Sequence, residues 1–306
     1  MSAIVVEDYS PDHAEAARSV INGAFGFQRS SDWFVWKHLD GPWGPSSGVI
    51  ARDERGIVGV RLLLPWLFRV GDTEVLAYRA VEAATAPRAQ GKGVFRELNG
   101  SLMERLAASP LPTFVYSTPN DQSRDGYKKL GWKWLEPFPH EYRLAPARRP
   151  KADGRTRLEG PDAIATFSPM EDPHGQVLTS WNPAAIGWRF DRRSGNCYRA
   201  LALRSSDGTG GIVYRTLAGR KIPTLLPMLT WGSAALVHDA SAIVARKERA
   251  PIVLDVPDPG RGRTLRLRHG ESLVTVWASD DRWMHDNGVG DSDRWRVSFA
   301  DLESVL

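Results

Sequence analysis

Residues 77–106 read AYRAVEAATAPRAQGKGVFRELNGSLMERL: a strand-like run, a glycine-containing turn and a helix-like run in direct succession. Val94, Leu98, Leu102 and Leu106 recur at helical spacing and predict a helix to about Ala108, stopped by the SPLP that follows. Gly91 and Gly93 stand where that helix begins, flanked by Arg88, Gln90 and Lys92. Glycines there can make a tight turn and nothing more. They can equally clear side chains away, so that the N–H groups and positive dipole end of the helix reach an anion. The stretch is not a nucleoside-triphosphate loop, because no Ser or Thr follows Lys92, and it lacks the third glycine of a dinucleotide fingerprint.

Outward from this stretch, strands and helices alternate, which predicts an α/β or α+β domain. IVVEDY (4–9) reads as a strand, Ser10-Pro11-Asp12 as a helix start, and DWFVWKHL as a second helix. SGVIARD and GIVGVRLLLPWLFRVG read as a hairpin, TFVYSTP as a buried strand, SRDGYKKLG as a short helix ended by Gly131, and WKWLEPFPHEYRL as one final strand broken by prolines. Residues 146–162, rich in Pro, Gly and charge, read as a linker between a domain at 1–145 and another at 163–306. FVWKHLDGPWGPSSGVIARDERGIVGVR matches IGWRFDRRSGNCYRALALRSSDGTGGIVYR by residue type, the signature of one α/β unit used twice. No QGKG recurs in the second copy.

A chain of 306 residues with 42% apolar content is long enough for two cores. No apolar run approaches membrane-spanning length, and MSAIVVEDYSPDHAE lacks the early basic region of a secretory signal, so a cytoplasmic protein with no membrane partner is expected. One cysteine, Cys197, excludes an internal disulfide and a cysteine-based metal cluster, and no metal site is expected. A net charge of +4 with dispersed Arg and Lys argues weakly for an anionic ligand and hardly at all for nucleic acid, so no nucleic-acid partner is expected.

Downstream of the turn lies NDQSRDGYKKLGW, in which Asn120, Ser123 and Tyr127 fall three and four residues apart. With Arg88-Ala-Gln-Gly91-Lys-Gly93 and Asn120, Ser123, Tyr127, Gly131 and Trp132, the first 145 residues resemble the GCN5-related N-acetyltransferase (GNAT) superfamily. The second half resembles it only as a degenerate copy that would shape the acceptor pocket. The resemblance implies a mixed, mostly antiparallel sheet flanked by helices, and acyl transfer from acetyl-CoA to an amine. It places the CoA pyrophosphate on the N–H groups of Gln90, Gly91, Lys92, Gly93, Val94 and Phe95, with charge from Arg88 and Lys92. It lays the pantetheine arm along Val81, Ala83, Ala84 and Thr85, anchored by Asn120 and Ser123. Tyr127 falls at the position of the general acid, although by pattern alone it could be a half-buried aromatic on an amphipathic helix. The family's base position falls near Ala77, which carries no acid; Glu82 is the candidate base instead. It could equally be the ion-pair partner of Arg79 or Arg61, with His38 and His140 as other bases. Trp33, Trp36 and Trp66 lie in the segments of the acceptor cleft, where core filling competes with contact to a small-molecule amine. Two other readings are a CoA-binding scaffold without activity and a transferase of longer acyl chains.

Overall fold

In the computed structural model the described residues are 4–146, 155–169, 176–206, 208–217, 221–257 and 266–302. The chain divides into two units, one made of residues 1–136, 273–295 and 305–306, the other of 137–272 and 296–304.

The first unit runs β1 (Val5–Asp8), α1 (Ala14–Phe25), α2 (Ser31–His38), β2 (Ser47–Asp53), β3 (Gly56–Val70), β4 (Thr73–Thr85), α3 (Val94–Ala107), β5 (Phe114–Ser117), α4 (Asp121–Lys129) and β6 (Lys133–Trp134). The second holds β7 (Phe138–Leu144), β8 (Thr156–Glu159), α5 (Gly160–Ile164), β9 (Val177–Thr179), α6 (Pro183–Arg189), β10 (Arg199–Ser205), β11 (Gly208–Leu217), β12 (Thr224–Gly232), α7 (Ala234–Lys247), β13 (Ile252–Asp255) and β14 (Arg266–Ser272). The chain then returns to the first unit with β15 (Thr275–Ala278) and α8 (Asp281–Asp286), and ends its described part in the second unit with α9 (Phe299–Leu302).

Along its seven-strand path the first sheet has the order β1-β2-β3-β4-β5-β15-β6, with every pair on that path antiparallel except the parallel pair β4–β5. The second has the order β8-β10-β11-β12-β13-β7-β14, again antiparallel except for one parallel pair, β12–β13. Position by position the two orders and directions coincide, so both units have the mixed sheet expected. In each, a helix joins the two parallel strands, α3 in the first and α7 in the second, as a parallel connection requires.

Three expectations are corrected. The units are not consecutive: the expected single strand at 132–144 is two, β6 in one sheet and β7 in the other, and residues 273–295 complete the first unit. Pro137 and Pro139, which cannot donate to a ladder, sit at that division. The expected linker at 146–162 lies outside the described residues from 147 to 154, and from Thr156 it is strand and helix. Alternation of apolar and polar side chains cannot say which sheet a strand joins.

The first core forms where α1 and α3 cover the sheet. Gly59 of β3 lets α3 approach: a Cβ there would stand 2.6 Å from Val94 Cγ1 and 2.9 Å from Leu98 Cδ1. On β5, Phe114 and Tyr116 pack among Phe68 and Trp295. The second core gathers Leu201, Ile212, Leu225, Leu236, Val244 and Val253 beneath α7.

Candidate active site

The chain between β4 and α3 is a short 3-10 turn at Pro87–Ala89, then Gln90 in extended conformation, then Gly91 at φ +74° and Gly93 at φ +81°. Both glycines occupy the left-handed region, where any other L-residue is strained. A Cβ at either would meet nothing within 4 Å, so backbone conformation, not lack of room, calls for glycine. Gly93 caps α3 without a side chain, which leaves the first N–H groups of the helix free of an intramolecular cap. That is the arrangement of an anion site. In the second unit the corresponding helix starts differently. Ser233 caps α7 with its own hydroxyl, which accepts from the Leu236 N–H. There one of the free N–H groups of the helix start is already taken.

The charges expected around the turn divide. Lys92 is exposed and makes no ion pair among the described residues. Arg88 turns to Asp53, at 3.0 Å, and its guanidinium holds the Asp53 carboxyl below the usual carboxylate range. The Gln90 side chain donates to the Thr85 carbonyl, fastening the turn to the end of β4.

β4 and β5 pair only at Tyr78–Val115 and Arg79–Tyr116. Beyond Arg79 the two strands part, leaving residues 80–85 of β4 with no β5 partner. Just past the last pair, β4 carries a bulge. Its partners on β3 step from Leu63–Ala80 to Arg61–Ala83, so Val81 and Glu82 together oppose Leu62. A bulge breaks the ladder and leaves main-chain groups unpaired. This gap is where the resemblance sets the pantetheine arm, and Val81, Ala83, Ala84 and Thr85 lie along it.

Tyr127, from α4, reaches the same level. It is 3% exposed, and its hydroxyl oxygen accepts from Arg61 Nη2 at 2.9 Å and from Ser117 Oγ at 3.1 Å. Ser117 follows Tyr116, the last residue of β5 paired with β4, so the hydroxyl stands where these two strands begin to separate. Its ring lies edge-on to Phe95 and Trp132. Gly126 lets α4 sit close to Phe95, since a Cβ there would come within 2.8 Å of Cε1. Asn120 and Ser123 do something more local than anchoring. The Asn120 carboxamide accepts from the Ser123 N–H at 3.0 Å and from its hydroxyl at 3.0 Å, forming the N-cap of α4.

Glu82 is buried but pairs with neither Arg79 nor Arg61. Its Oε1 accepts from Lys37 Nζ and lies 3.9 Å from His38 Nε2; Lys37 and His38 are both fully buried in α2. Burial pushes Lys37 below the ordinary lysine range against the pull of Glu82, with Arg79 and Arg29 adding repulsion. Burial and the Lys37 charge hold His38 well below 6.5. His140, the other histidine considered, lies in the second unit and bonds Ser272 at 2.9 Å.

The three tryptophans expected at the acceptor are core residues. Trp36 and Trp66 are fully buried, and Trp33 lies between the Arg29 guanidinium and the Lys37 ammonium, each 4.8 Å from its ring centroid. Rings so covered fill the interior and do not line an open cleft. Arg61 and Lys37 were missed as members of the site. A charge in the middle of the apolar run GIVGVRLLLPWLFRV, whose other charge, Arg69, stands near its end, was the available signal for Arg61.

Among the described residues no group of three or more His, Cys, Asp or Glu is placed to hold a metal ion, and no helix is long and apolar enough to cross a membrane.

Residues 6–135 match the family described as "Acetyltransferase (GNAT) domain". Several solved structures share the fold. A conserved protein of unknown function from Enterococcus faecalis, described as a probable N-acyltransferase, superposes with a TM-score of 0.70 at 12% identity, over 90% of this chain and 72% of that one. A GCN5-related N-acetyltransferase from Anabaena variabilis gives 0.66 at 11% identity, over 91% and 73% of the two chains. Another from Kribbella flavida gives 0.64 at 17% identity, over 90% and 71%. In sequence, a symmetrical bis(5'-nucleosyl)-tetraphosphatase of Thioalkalivibrio sulfidiphilus is 28% identical over 100 residues, which are 32% of this chain. The chain spans about a third of that curated relative's length, 36%.

Proposed function

Given that residues 6–135 match the acetyltransferase (GNAT) domain family, we propose that the chain moves an acetyl group from acetyl-CoA to a primary amine of a small molecule, in the cytoplasm. The observation that carries this is one convergence: an uncapped helix start with two left-handed glycines, a bulged strand parting from its parallel neighbour, and a tyrosine hydroxyl where the two separate. Bound acetyl-CoA supplies the thioester; the protein's own groups do the rest. The N–H groups from Gln90 to Phe95 receive the diphosphate, with Lys92 adding charge, and the gap along Val81 to Thr85 receives the arm. A main-chain N–H of the bulge polarises the acetyl carbonyl.

Acid and base are separate groups in this scheme. Tyr127 has both acceptor positions taken by donors, Arg61 and Ser117, so its own proton is free to go to the departing thiolate. Glu82 takes the amine proton on Oε2, which bonds to none of the described residues while Lys37 holds Oε1. The second unit keeps the sheet and, at β12, a bulge of the same kind between Val213 and Tyr214 of its partner. Its capped α7 does not bind CoA in this reading.

The test is isothermal titration of acetyl-CoA into the wild type and Gly93→Asp. The aspartate puts strain and a carboxylate at the start of α3, and affinity is expected to fall about tenfold to a hundredfold, the loss of one charge-assisted contact or two. Equal binding by both proteins would overturn the reading.

A further inference from the structure

Resting on the reading of Tyr127 as the acid, we propose that Arg61 is a positioning residue for acyl transfer, a buried cation that holds the Tyr127 oxygen and takes up the charge left there when the proton departs.

Arg61 is 1% exposed, in the middle of β3. Its Nε donates to Asn99 Oδ1 at 3.0 Å, its Nη2 to the Tyr127 oxygen at 2.9 Å, and its Nη1 to nothing. No carboxylate among the described residues pairs with it. A guanidinium without a counter-charge in a core costs stability, and such groups persist where something else requires them. Each neighbour fixes it further. Asn99 gives its amide hydrogens to the Phe95 carbonyl at 2.7 Å, which turns its oxygen toward Arg61. Four elements therefore join in one hydrogen-bonded chain: α3 through Asn99 and α4 through Tyr127 both bond Arg61 of β3, and β5 bonds the Tyr127 oxygen through Ser117. Arg61 is also the residue whose partner on β4, Ala83, closes the bulge. Cation and bulge thus occupy one level of the sheet.

The O–H bond of Tyr127 breaks as an S–H bond forms on the departing thiolate of CoA, and the electron pair stays on the phenolic oxygen. That oxygen is then an anion receiving hydrogen bonds from Arg61 Nη2 and Ser117 Oγ. The buried pair of side chains passes from a net charge of +1 to zero, and water returns the proton after product leaves. A cation that stood unpaired before transfer acquires its counter-charge by the transfer, so the interaction is stronger after the proton has moved than before it. Only such interactions speed a step.

A double-mutant cycle tests this. Arg61→Met and Arg61→Lys are each made in the wild type and in Tyr127→Phe, and kcat, the Kd for acetyl-CoA and Tm are measured. In the wild type Arg61→Met is expected to lower kcat about 100-fold, the loss typical of a donor to a developing oxyanion. The Kd for acetyl-CoA should stay within about twofold, inside the additivity error of independent sites. Arg61→Lys, which keeps the charge but cannot span Asn99 and Tyr127 together, should lose about tenfold, one hydrogen bond to a charged group. In Tyr127→Phe neither substitution should change kcat beyond about twofold. Equal losses in both backgrounds would make Arg61 a structural residue and overturn its role alone. Full activity of Tyr127→Phe would overturn the reading on which it rests. If Arg61→Met fails to fold, Arg61→Lys carries the cycle.

Discussion

His38 shows at the scale of a single residue how burial becomes a measurable property. Its Nδ1 lies 2.9 Å from Ser46 Oγ, its Nε2 lacks a hydrogen bond, and no part of it meets solvent. Held well below 6.5 by burial and by Lys37, it stays neutral in the folded protein where the unfolded chain would take up a proton. The unfolded state then binds more protons, so stability is full above pH 6.5 and falls as pH drops below it. The slope for one proton is about 1.4 kcal/mol per pH unit. Denaturant unfolding between pH 7.5 and 4.5 should show His38→Gln losing that much less per unit than the wild type, and matching slopes would refute the assignment. Residue pairs of this kind were not legible in the sequence. Glu82 was visible as a misplaced carboxylate, but Lys37 is 45 positions away and joins it only once α2 lies over β4. Tyr127 was singled out by the motif that carries the resemblance, whereas its hydrogen-bond partner Arg61, 66 positions distant, was not.

Among elements, α3 was read well because everything that makes it is local: its apolar repeat, its glycine start and its stop. How deeply it sits on the sheet depends on Gly59, which lies in another strand. Gly59→Ala would push Val94 and Leu98 outward at the first turns of the helix. Overpacking of this sort costs about 1–3 kcal/mol, and because the same turns present the N–H groups proposed to receive the diphosphate, acetyl-CoA affinity should fall together with Tm. A lowered Tm with unchanged affinity would mean that the helix start is held by the turn rather than by the sheet. The contrast with α7 is equally physical. A serine at its cap costs the second unit one of the donors that Gly93 leaves open in the first, and this much could be read from QGKG being present once and absent later.

For the whole molecule, the repeat was legible and the boundaries were not. Matching α2-β2-β3 to α6-β10-β11 by residue type led correctly to two similar sheets, and the buried pair Trp36-Lys37 has its counterpart in the buried pair Trp188-Arg189. What the text hid is that each sheet completes itself with a strand from later or earlier in the chain, β15 in the first and β7 in the second. TVWA is too short to announce itself, and its partner strand β5 lies some 160 residues before it, the ladder pairing Thr275 with Ser117. A chain ending at residue 145 therefore lacks a strand from the interior of the first sheet. It should show neither a cooperative melt nor acetyl-CoA binding, whereas joining residues 1–136 to 273–295 through a flexible linker should restore both; a cooperative, binding-competent 1–145 would contradict the arrangement. The inserted strand also sets an order in time. Synthesis proceeds from the N-terminus, and the edge of β5, four buried residues wide, has no partner until residue 278 of 306 has been made. The segment proposed to carry the acyl-transfer chemistry therefore leaves the ribosome some 160 residues before the strand that closes its sheet.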